Sequence, residues 1–379
     1  MSAPGGGPER VVLVYQLLGD YHRARVARAA ERFAGEGMEL LALQIFSRQD
    51  AYRWAGSAAG GAVRGLGLAT TGCDQIRWSD LGALLRGAGD LRPDAMFVNG
   101  WSTRDALALH AWCRTRGIPT ILVSASQASD FGRRPWKEWI KSRIVRRCGS
   151  AFVAGAPQQR YLERLGMRRQ AIFNGCDVVD NRHFSGAVSR RRPGGRRLVT
   201  VARWEKQKNL VAAGNAFLRF AGRRPAAESW QWNLAGYGSQ EAELRALADR
   251  SGGRIRLLGY RAYADLPATY AEADIYWQPS RMEPWGLAVN EAMAAGLPVL
   301  VSSRCGCAED LVDASVGWVF DPGGEGGLLD GLESAARCHS NWPGMGAAAS
   351  ARIADWDLDR FADGALAATR WALRHRASR

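Results

Sequence analysis

Tyr276 to Ser302 reads YWQPSRMEPWGLAVNEAMAAGLPVLVS. Ile275-Tyr276-Trp277 closes a short apolar run. Gln278 to Gly286 carries Pro279, Pro284 and Gly286, residues that break regular structure, so it reads as a loop. Leu287 to Ala295 holds good helix formers, with Leu287, Val289, Ala292 and Met293 able to share a buried side. Gly296 and Pro298 stop that helix, and Val299-Leu300-Val301 is a buried-strand run. The order is strand, loop, helix, strand. The helix start then lies just past the carboxyl end of a strand, where open α/β sheets bind ligands, and its N–H groups at Gly286 and Leu287 can receive a phosphate.

Two carboxylates frame that helix start. Glu283 precedes it and Glu291 follows eight residues later. A carboxylate accepts two hydroxyl hydrogen bonds, so it suits the vicinal diol of a sugar or ribose. An acid on each side of a phosphate-binding helix start can hold both ends of a sugar nucleotide. The same two acids also fit the ordinary preference for negative charge near a helix N-terminus.

The run E-P-W-G-L-A-V-N-E-A-M-A-A-G-L-P-V from Glu283 resembles the E-x7-E region of the retaining family 4 (group 1) glycosyltransferases, including Gly286, Ala292, Gly296 and Pro298. The resemblance implies the α/β GT-B fold: two Rossmann-like, doubly wound parallel-sheet domains facing each other across a cleft. It puts the donor sugar on Glu283, the ribose hydroxyls on Glu291, and the diphosphate on the Gly286 and Leu287 amides, with Pro284 and Trp285 in the same donor-binding loop. Arg203 and Lys208, five apart in a strand-to-helix loop, resemble the family's diphosphate clamp. Fixed cations there would stabilise the charge that a departing nucleoside diphosphate gains. Gly236-Tyr237-Gly238 resembles the family's G-x-G loop beside the nucleotide, and Gly259-Tyr260 the strand end that meets the base.

Composition bounds the rest. The chain has 379 residues, 47% hydrophobic and 23% charged, enough for two domains with separate cores. Met1 to Pro8 is rich in Gly and Pro and is expected to be disordered. No apolar run reaches a membrane span or a signal h-region, so a cytoplasmic protein is expected, with peripheral attachment to the inner face of the cell membrane as an option. Seven scattered Cys without zinc spacing read as free thiols. The net charge of +14 is uneven: residues 1–186 hold 26 Lys/Arg against 16 Asp/Glu, residues 187–197 add five Arg, and residues 198–379 hold 20 against 21. The first half therefore faces something anionic, with nucleic acid, an acidic acceptor and an anionic membrane as candidates.

The expected domains are 1–186, on the acceptor side; a basic linker, 187–197; a nucleotide-sugar domain, 198–355; and a terminal helix, 356–379, that in GT-B proteins crosses back to the first domain. Val11–Tyr15, Leu40–Phe46, Ala95–Val98, Pro119–Val123 and Ala151–Ala154 read as strands alternating with helices, hence a mostly parallel sheet. No G-x-G-x-x-G follows the first strand. The family's cleft loop at this point would implicate Gly19, Asp20 and His22, and the same residues also read as a plain turn and helix start. Ser124-Ala125-Ser126 stands where many family members carry a His or an acid. That departure leaves the base unassigned, with Asp130 as a substitute, and a retaining front-side reaction can use the leaving phosphate instead.

Residues 133–148, RRPWKEWIKSRIVRRC, carry seven Lys/Arg and one Glu, with Trp136, Trp139, Ile140 and Ile144 on one helical face. Together with Lys137, Lys141 and Arg143 this suits an interfacial helix on anionic lipid. It also suits a surface helix whose apolar face packs into the core. The expected function is transfer of a sugar from a nucleotide-diphosphate sugar to a lipid-linked or cell-envelope glycan, with no metal and no cofactor beyond the sugar nucleotide. A soluble acceptor is the alternative. A basic nucleic-acid-binding protein is a reading of a different class; no recognised nucleic-acid motif supports it, and nucleic acid is not an expected partner.

Overall fold

The structure is a computed structural model, and it describes residues 7–47, 62–71, 75–130, 132–186, 188–190, 194–225 and 228–376. Most of the Gly/Pro-rich start, and linker residues 187 and 191–193, lie outside the described residues. The chain divides into two compact units. The first takes residues up to Ala128, Gly132–Val178 and Leu358 onward; the second takes 129–131 and Val179–Asp357. The division at 178/179 lies eight residues before the 186/187 boundary read from sequence.

The first unit contains β1 (Glu9–Tyr15), α1 (Asp20–Ala34), β2 (Met38–Phe46), β3 (Val63–Leu68), the two-residue strands β4 (Thr70–Thr71) and β5 (Gln75–Ile76), α2 (Leu81–Asp90), β6 (Ala95–Asn99), α3 (Arg104–Thr115), β7 (Thr120–Ser124), α4 (Pro135–Val145), β8 (Ser150–Val153), α5 (Ala156–Arg164) and β9 (Ile172–Asn174). Its main sheet has the order β3-β2-β1-β6-β7-β8-β9, all parallel. The second unit contains α6 (Asn181–Ser185), β10 (Arg197–Val201), α7 (Leu210–Gly222), β11 (Gln231–Ala235), α8 (Glu241–Asp249), β12 (Ile255–Gly259), α9 (Leu266–Ala271), β13 (Ile275–Gln278), α10 (Leu287–Ala294), β14 (Val299–Ser302), α11 (Ala308–Leu311), β15 (Gly317–Phe320), α12 (Glu325–Arg337) and α13 (Trp342–Ile353). Its sheet runs β12-β11-β10-β13-β14-β15. Counted within the unit this is 3-2-1-4-5-6, the doubly wound order whose strand sequence reverses once.

Both sheets are buried on two faces, so their strands are apolar runs rather than alternations. Val11, Val12 and Val299 to Val301 are fully buried. The second core is built around Trp232, Trp277, Phe217 and Phe220. Buried polar groups are matched: the Thr200 hydroxyl donates to the Trp277 carbonyl (2.6 Å) and accepts from the Trp232 indole (3.0 Å).

Several sequence expectations shift. Arg197 belongs to β10, where its guanidinium pairs with the buried Asp274 at 2.8 Å, and Arg196 lies 3.6 Å from Glu228. These two linker arginines are spent inside the second unit. The terminal helix, α14 (Leu358–Arg374), starts two residues later than expected and belongs to the first unit. It packs on α1, β8 and β9, and its Asp359 and Asp363 pair with Arg28 and Arg32 of α1.

Gly364 of α14 makes that packing close. A Cβ there would stand 2.7 Å from the Phe152 ring and 2.8 Å from the Asn174 carbonyl. In an exposed helix Gly→Ala gains about 1 kcal/mol; here the overpacking term of about 1–3 kcal/mol opposes it. Gly364→Ala is expected to lower the stability of the first unit by a net 1–2 kcal/mol or so. Chemical denaturation checks this, and a stabilised variant would show that α14 can move off the sheet at little cost.

Candidate active site

In a doubly wound sheet the ligand crevice opens where the strand order reverses, outside the carboxyl ends of the strands. In the second unit this point lies between β10 and β13. The loop after β10 runs from Ala202 to Asn209 and carries Arg203 and Lys208. The loop after β13 runs from Pro279 to Gly286 and carries Glu283. Lys208 and Glu283 form an ion pair, with side chains 14% and 12% exposed. The Arg281 amide donates to the Gln207 carbonyl at 2.9 Å, which ties the two loops together.

A chain of polar groups holds Glu283. The Gln278 amide donates to its carboxylate (3.0 Å) and to the Ser280 hydroxyl (2.8 Å), and the Tyr276 hydroxyl donates to the Gln278 carbonyl oxygen. Burial first, then the charges of Glu291 and Glu283, push the Tyr276 phenol well above its ordinary value, so it remains a donor. The backbone is fixed as well: the Gly306 amide donates to the Glu283 carbonyl at 2.9 Å.

Gly286 takes φ 107°, a left-handed conformation that a side chain resists, and turns the chain into α10. The first N–H groups of a helix have no intrahelical partner, so those of α10 face the carboxyl end of the sheet. The Trp285 side chain is turned into the second unit. It is buried, its indole donates to Asn290 at 3.0 Å, and it stacks on Trp356 with ring centroids 5.0 Å apart. Pro284 and Leu287 are half-buried at the loop end and helix start. Glu291 is 2% exposed and accepts from the Tyr270 hydroxyl at 2.6 Å.

The remaining donor-side residues lie at neighbouring strand ends. Gly236 and Gly238 take φ 148° and 158°. A Cβ on Gly236 would collide with the Ala202 carbonyl, and one on Gly238 would stand 2.6 Å from the Trp204 carbonyl oxygen. Glycine is therefore what lets the 236–238 loop lie against the Arg203–Lys208 loop, where the Trp204 amide donates to the Tyr237 carbonyl at 2.7 Å. Tyr260, 44% exposed, meets Tyr237 edge-on at 5.6 Å. Arg203 is half-buried in the same loop.

In the first unit a cavity of about 310 Å³ opens at the carboxyl ends of β1, β6 and β7. It brings together His22, Ser124 and Ser126 from the sequence reading and adds Tyr15, Arg25, Asn99 and Asp177. Gly19, Asp20 and Asp130 are not among its lining residues. The Gly19 amide donates to His22 Nδ1 at 3.2 Å, so the neutral ring carries its proton on Nε2. Burial and then Arg25 push the His22 pKa down to about 3, which keeps the ring neutral and makes it a weak base. Arg25 is 4% exposed, donates to the Val178 carbonyl at 2.6 and 2.9 Å, and lies 3.4 Å from Asp177. Nothing in the sequence separates Arg25 from Arg23, Arg28 and Arg32 except the helical face it falls on. Likewise, no motif marks Gln278, Tyr270 or Tyr276 as the supports of the two acids.

On α4 the apolar face does not pack into the core. Trp136, Trp139 and Ile140 are 57%, 60% and 44% exposed, and among the helix residues Val145 alone is buried. Lys137 and Arg143 lie over the Trp136 and Trp139 rings at 5.4 and 4.5 Å. Lys141 departs from the expected lipid-facing set. It turns to Glu138 (2.7 Å) and the Tyr161 hydroxyl (3.1 Å), because the i,i+3 acid offsets its charge and the phenol accepts one of its hydrogen bonds. Among the described residues no cluster of three or more His, Cys, Asp or Glu could hold a metal ion, six cysteines are free thiols, and no helix is long and apolar enough to cross a membrane.

Residues 182–340, which contain every donor-side residue above, match the family model described as glycosyl transferases group 1. The chain is similar to the glycogen synthase of Mycobacterium tuberculosis, 27% identical over 259 residues, which make up 64% of this chain and 60% of that one. It is also similar to the phosphatidyl-myo-inositol mannosyltransferase of Mycobacterium leprae, 28% identical over 272 residues, 70% of this chain and 68% of that one. The match thus spans 60% of the length of the first of these relatives. Among solved structures, HepE from Anabaena in complex with UDP superposes with a TM-score of 0.69 at 16% identity, covering 94% of this chain and 98% of that one. At that identity the likeness shows the fold alone, and the fold is GT-B.

Proposed function

We propose that the chain is a retaining, metal-independent glycosyltransferase of the hexosyltransferase type that takes a sugar from a nucleotide-diphosphate sugar. The observation that carries this reading is the Lys208–Glu283 pair at the strand-order reversal of the second sheet, beside the N-terminus of α10. An ammonium has three donors. Lys208 can keep Glu283 in place while donating to a diphosphate, with Arg203 as the second cation and the α10 amides as the third source of positive potential. Glu283 takes the sugar hydroxyls, Glu291 the ribose, and the Tyr237–Tyr260 pair lies where a base can rest.

In this mechanism the bond between the anomeric carbon and the phosphate oxygen breaks, and the acceptor oxygen bonds to that carbon on the same face. The acceptor proton passes to the departing phosphate. His22 does not take it, since its acceptor nitrogen Nδ1 is already engaged by the Gly19 amide, and Ser124 and Ser126 are not bases at neutral pH. The acceptor we infer is a lipid-linked or cell-envelope glycan. Support comes from the mycobacterial mannosyltransferase, whose name specifies a phosphatidylinositol acceptor, and from the exposed Trp136 and Trp139 among basic residues of α4. Indole rings favour headgroup level and each basic residue near anionic lipid contributes about 1 kcal/mol, so α4 would hold the protein peripherally on the inner face of the cell membrane.

The test of the activity is transfer of labelled sugar from UDP- or GDP-sugars to an envelope lipid extract. Lys208→Ala is expected to cut turnover by about 10² or more, the scale for losing an electrostatic stabiliser, with the thermal midpoint followed in parallel because Glu283 loses its partner. Near-normal turnover removes Lys208 from the site. Absence of transfer with every donor overturns the enzymatic reading.

His22 generates a separate expectation. Its folded pKa of about 3 lies below the ordinary 6.5, so between these values the unfolded chain binds the extra proton. The stability of the first unit is therefore full above about pH 6.5 and falls on acidification, by about 2 kcal/mol at pH 5 from this residue. His22→Gln should flatten that part of the denaturation profile. An unchanged acid limb would mean that the ring is open to water.

Attachment is read by sedimentation with neutral or anionic vesicles. Wild type should pellet with anionic vesicles at low salt and release as salt screens the charges. The double variant Lys137→Glu, Arg143→Glu should remain in the supernatant. Equal pelleting of the variant would place the contact elsewhere on the chain.

A further inference from the structure

A second cavity of the first unit, about 680 Å³, lies at the amino end of β7, at the opposite pole of the sheet from the cavity that holds His22. Its apolar lining comes from Leu107 and Ala111 of α3, Ile144 of α4 and Ala372 of α14. Its charges are Arg114, Arg146, Arg147 and Arg376, and among the described residues that line it there is no carboxylate. Arg114, Arg146 and Arg147 have no acid partner among the described residues. Arg147 gives one N–H to the Arg143 carbonyl at 2.8 Å and keeps four more. His110 is not the reader of this site, because its Nε2 is engaged with the Gly100 carbonyl at 3.0 Å and its Nδ1 faces the Cys148 sulfur at 3.9 Å.

A cavity with apolar walls and a rim of guanidinium groups is complementary to a molecule with an aliphatic chain and an oxyanion head. The exposed stripe of α4 gives the chain a direction. Trp136, Ile140 and Ile144 follow at intervals of four residues on one helical face, so the stripe enters the cavity at Ile144. We propose that this cavity binds an amphipathic phosphate, its phosphoryl oxygens on Arg114 and Arg147 and its aliphatic part against Leu107, Ala111 and Ile144, while the Arg146 guanidinium lies against Gly166. The site is separate from both strand-end sites and needs no turnover to be detected.

Calorimetry with dihexanoyl phosphatidic acid, below its micelle concentration, tests the proposal on the full chain. Inorganic phosphate and dihexanoylglycerol are the head-only and chain-only controls. The amphipathic phosphate is expected to bind at least about tenfold more tightly than either control, since both halves of the site then contribute. Ala111→Trp, at an exposed helix position, fills the cavity. The double variant Arg114→Glu, Arg147→Glu reverses its rim. Each should weaken binding at least about tenfold, with the thermal midpoint confirming the fold. Unchanged affinity in either variant, or phosphate alone binding as well as the amphiphile, overturns the proposal. Vesicles of phosphatidylcholine with phosphatidic acid then assign the source. Ala111→Trp lowers pelleting about tenfold if the phosphate is a bilayer headgroup, and leaves it at the wild-type level if the phosphate arrives free in solution.

Discussion

The Lys208–Glu283 ion pair joins the two loops that the strand order sends in opposite directions. Its role follows from magnitudes. At an effective dielectric constant of about 20, charges about 4 Å apart attract by about 4 kcal/mol, and taking both ions largely out of water costs several kcal/mol per ion. The pair therefore adds little to stability, and its consequence is geometric. It fixes a carboxylate and an ammonium side by side at the mouth of the sheet, and the surrounding structure serves that placement: Gln278 and Tyr276 from below, the Arg281–Gln207 backbone bond across the top, and Gly236 and Gly238 letting a third loop close in.

The helix that follows Glu283 shows the same economy. From Val289 on, α10 is buried all round, the pattern of a helix inside a core rather than on its surface. A carboxylate at Glu291 would be costly there without a partner. The Tyr270 hydroxyl supplies one, and the Tyr276 phenol, whose proton is held by burial and by the nearby acids, keeps a second buried hydroxyl from becoming another anion. The second acid of the spaced pair is thus set in a hydrogen-bonded cradle, whereas the first is set in an ion pair. Two acids eight residues apart in sequence occupy different electrostatic environments, and a sugar nucleotide has different demands at its two ends.

Strands and the donor-side loops were legible because Gly and Pro punctuate them: Gly286, Gly296 and Pro298 bound α10 almost to the residue. What escaped reading was built from sequence that looks unlike regular structure. The α2 segment LGALLRGAGD and the start of α13, WPGMGAAAS, hold Gly or Pro at positions that propensity disfavours. They are helical because Leu84 and Ala88 bury in the core beneath the first sheet, Trp342 buries in the core of the second unit, and Ile353 is buried on α13, which packs on α10, a tertiary gain that no local window contains. Side-chain partners were less legible still. Arg25 and Arg28 are three residues apart on one helix, yet one is buried against the Val178 carbonyl and the other reaches Asp359, 331 residues away. Lys141 reads as one more base of a lipid-facing helix until Glu138 and Tyr161 are seen to enclose it.

That difference bears on how the net charge should be read. The excess of bases in the first half of the chain does not produce a uniformly positive unit. Arg28 and Arg32 are answered by Asp359 and Asp363, Arg10 by Glu39, and Arg133 and Lys141 share Glu138. Beyond these, Arg134, Lys137, Arg143, Arg146 and Arg147 lie on or next to α4 with no carboxylate partner among the described residues. Screening removes charge effects beyond about 8–10 Å at ordinary ionic strength, so a distant surplus contributes little and a local unanswered one contributes most. The local surplus on and beside α4 is the part of that charge on which the proposed membrane contact rests, and the same helix is where two Trp and one Ile stand exposed to solvent. Apolar exposure and unanswered charge on one element is the combination that a headgroup layer can satisfy at once, and that bulk water cannot.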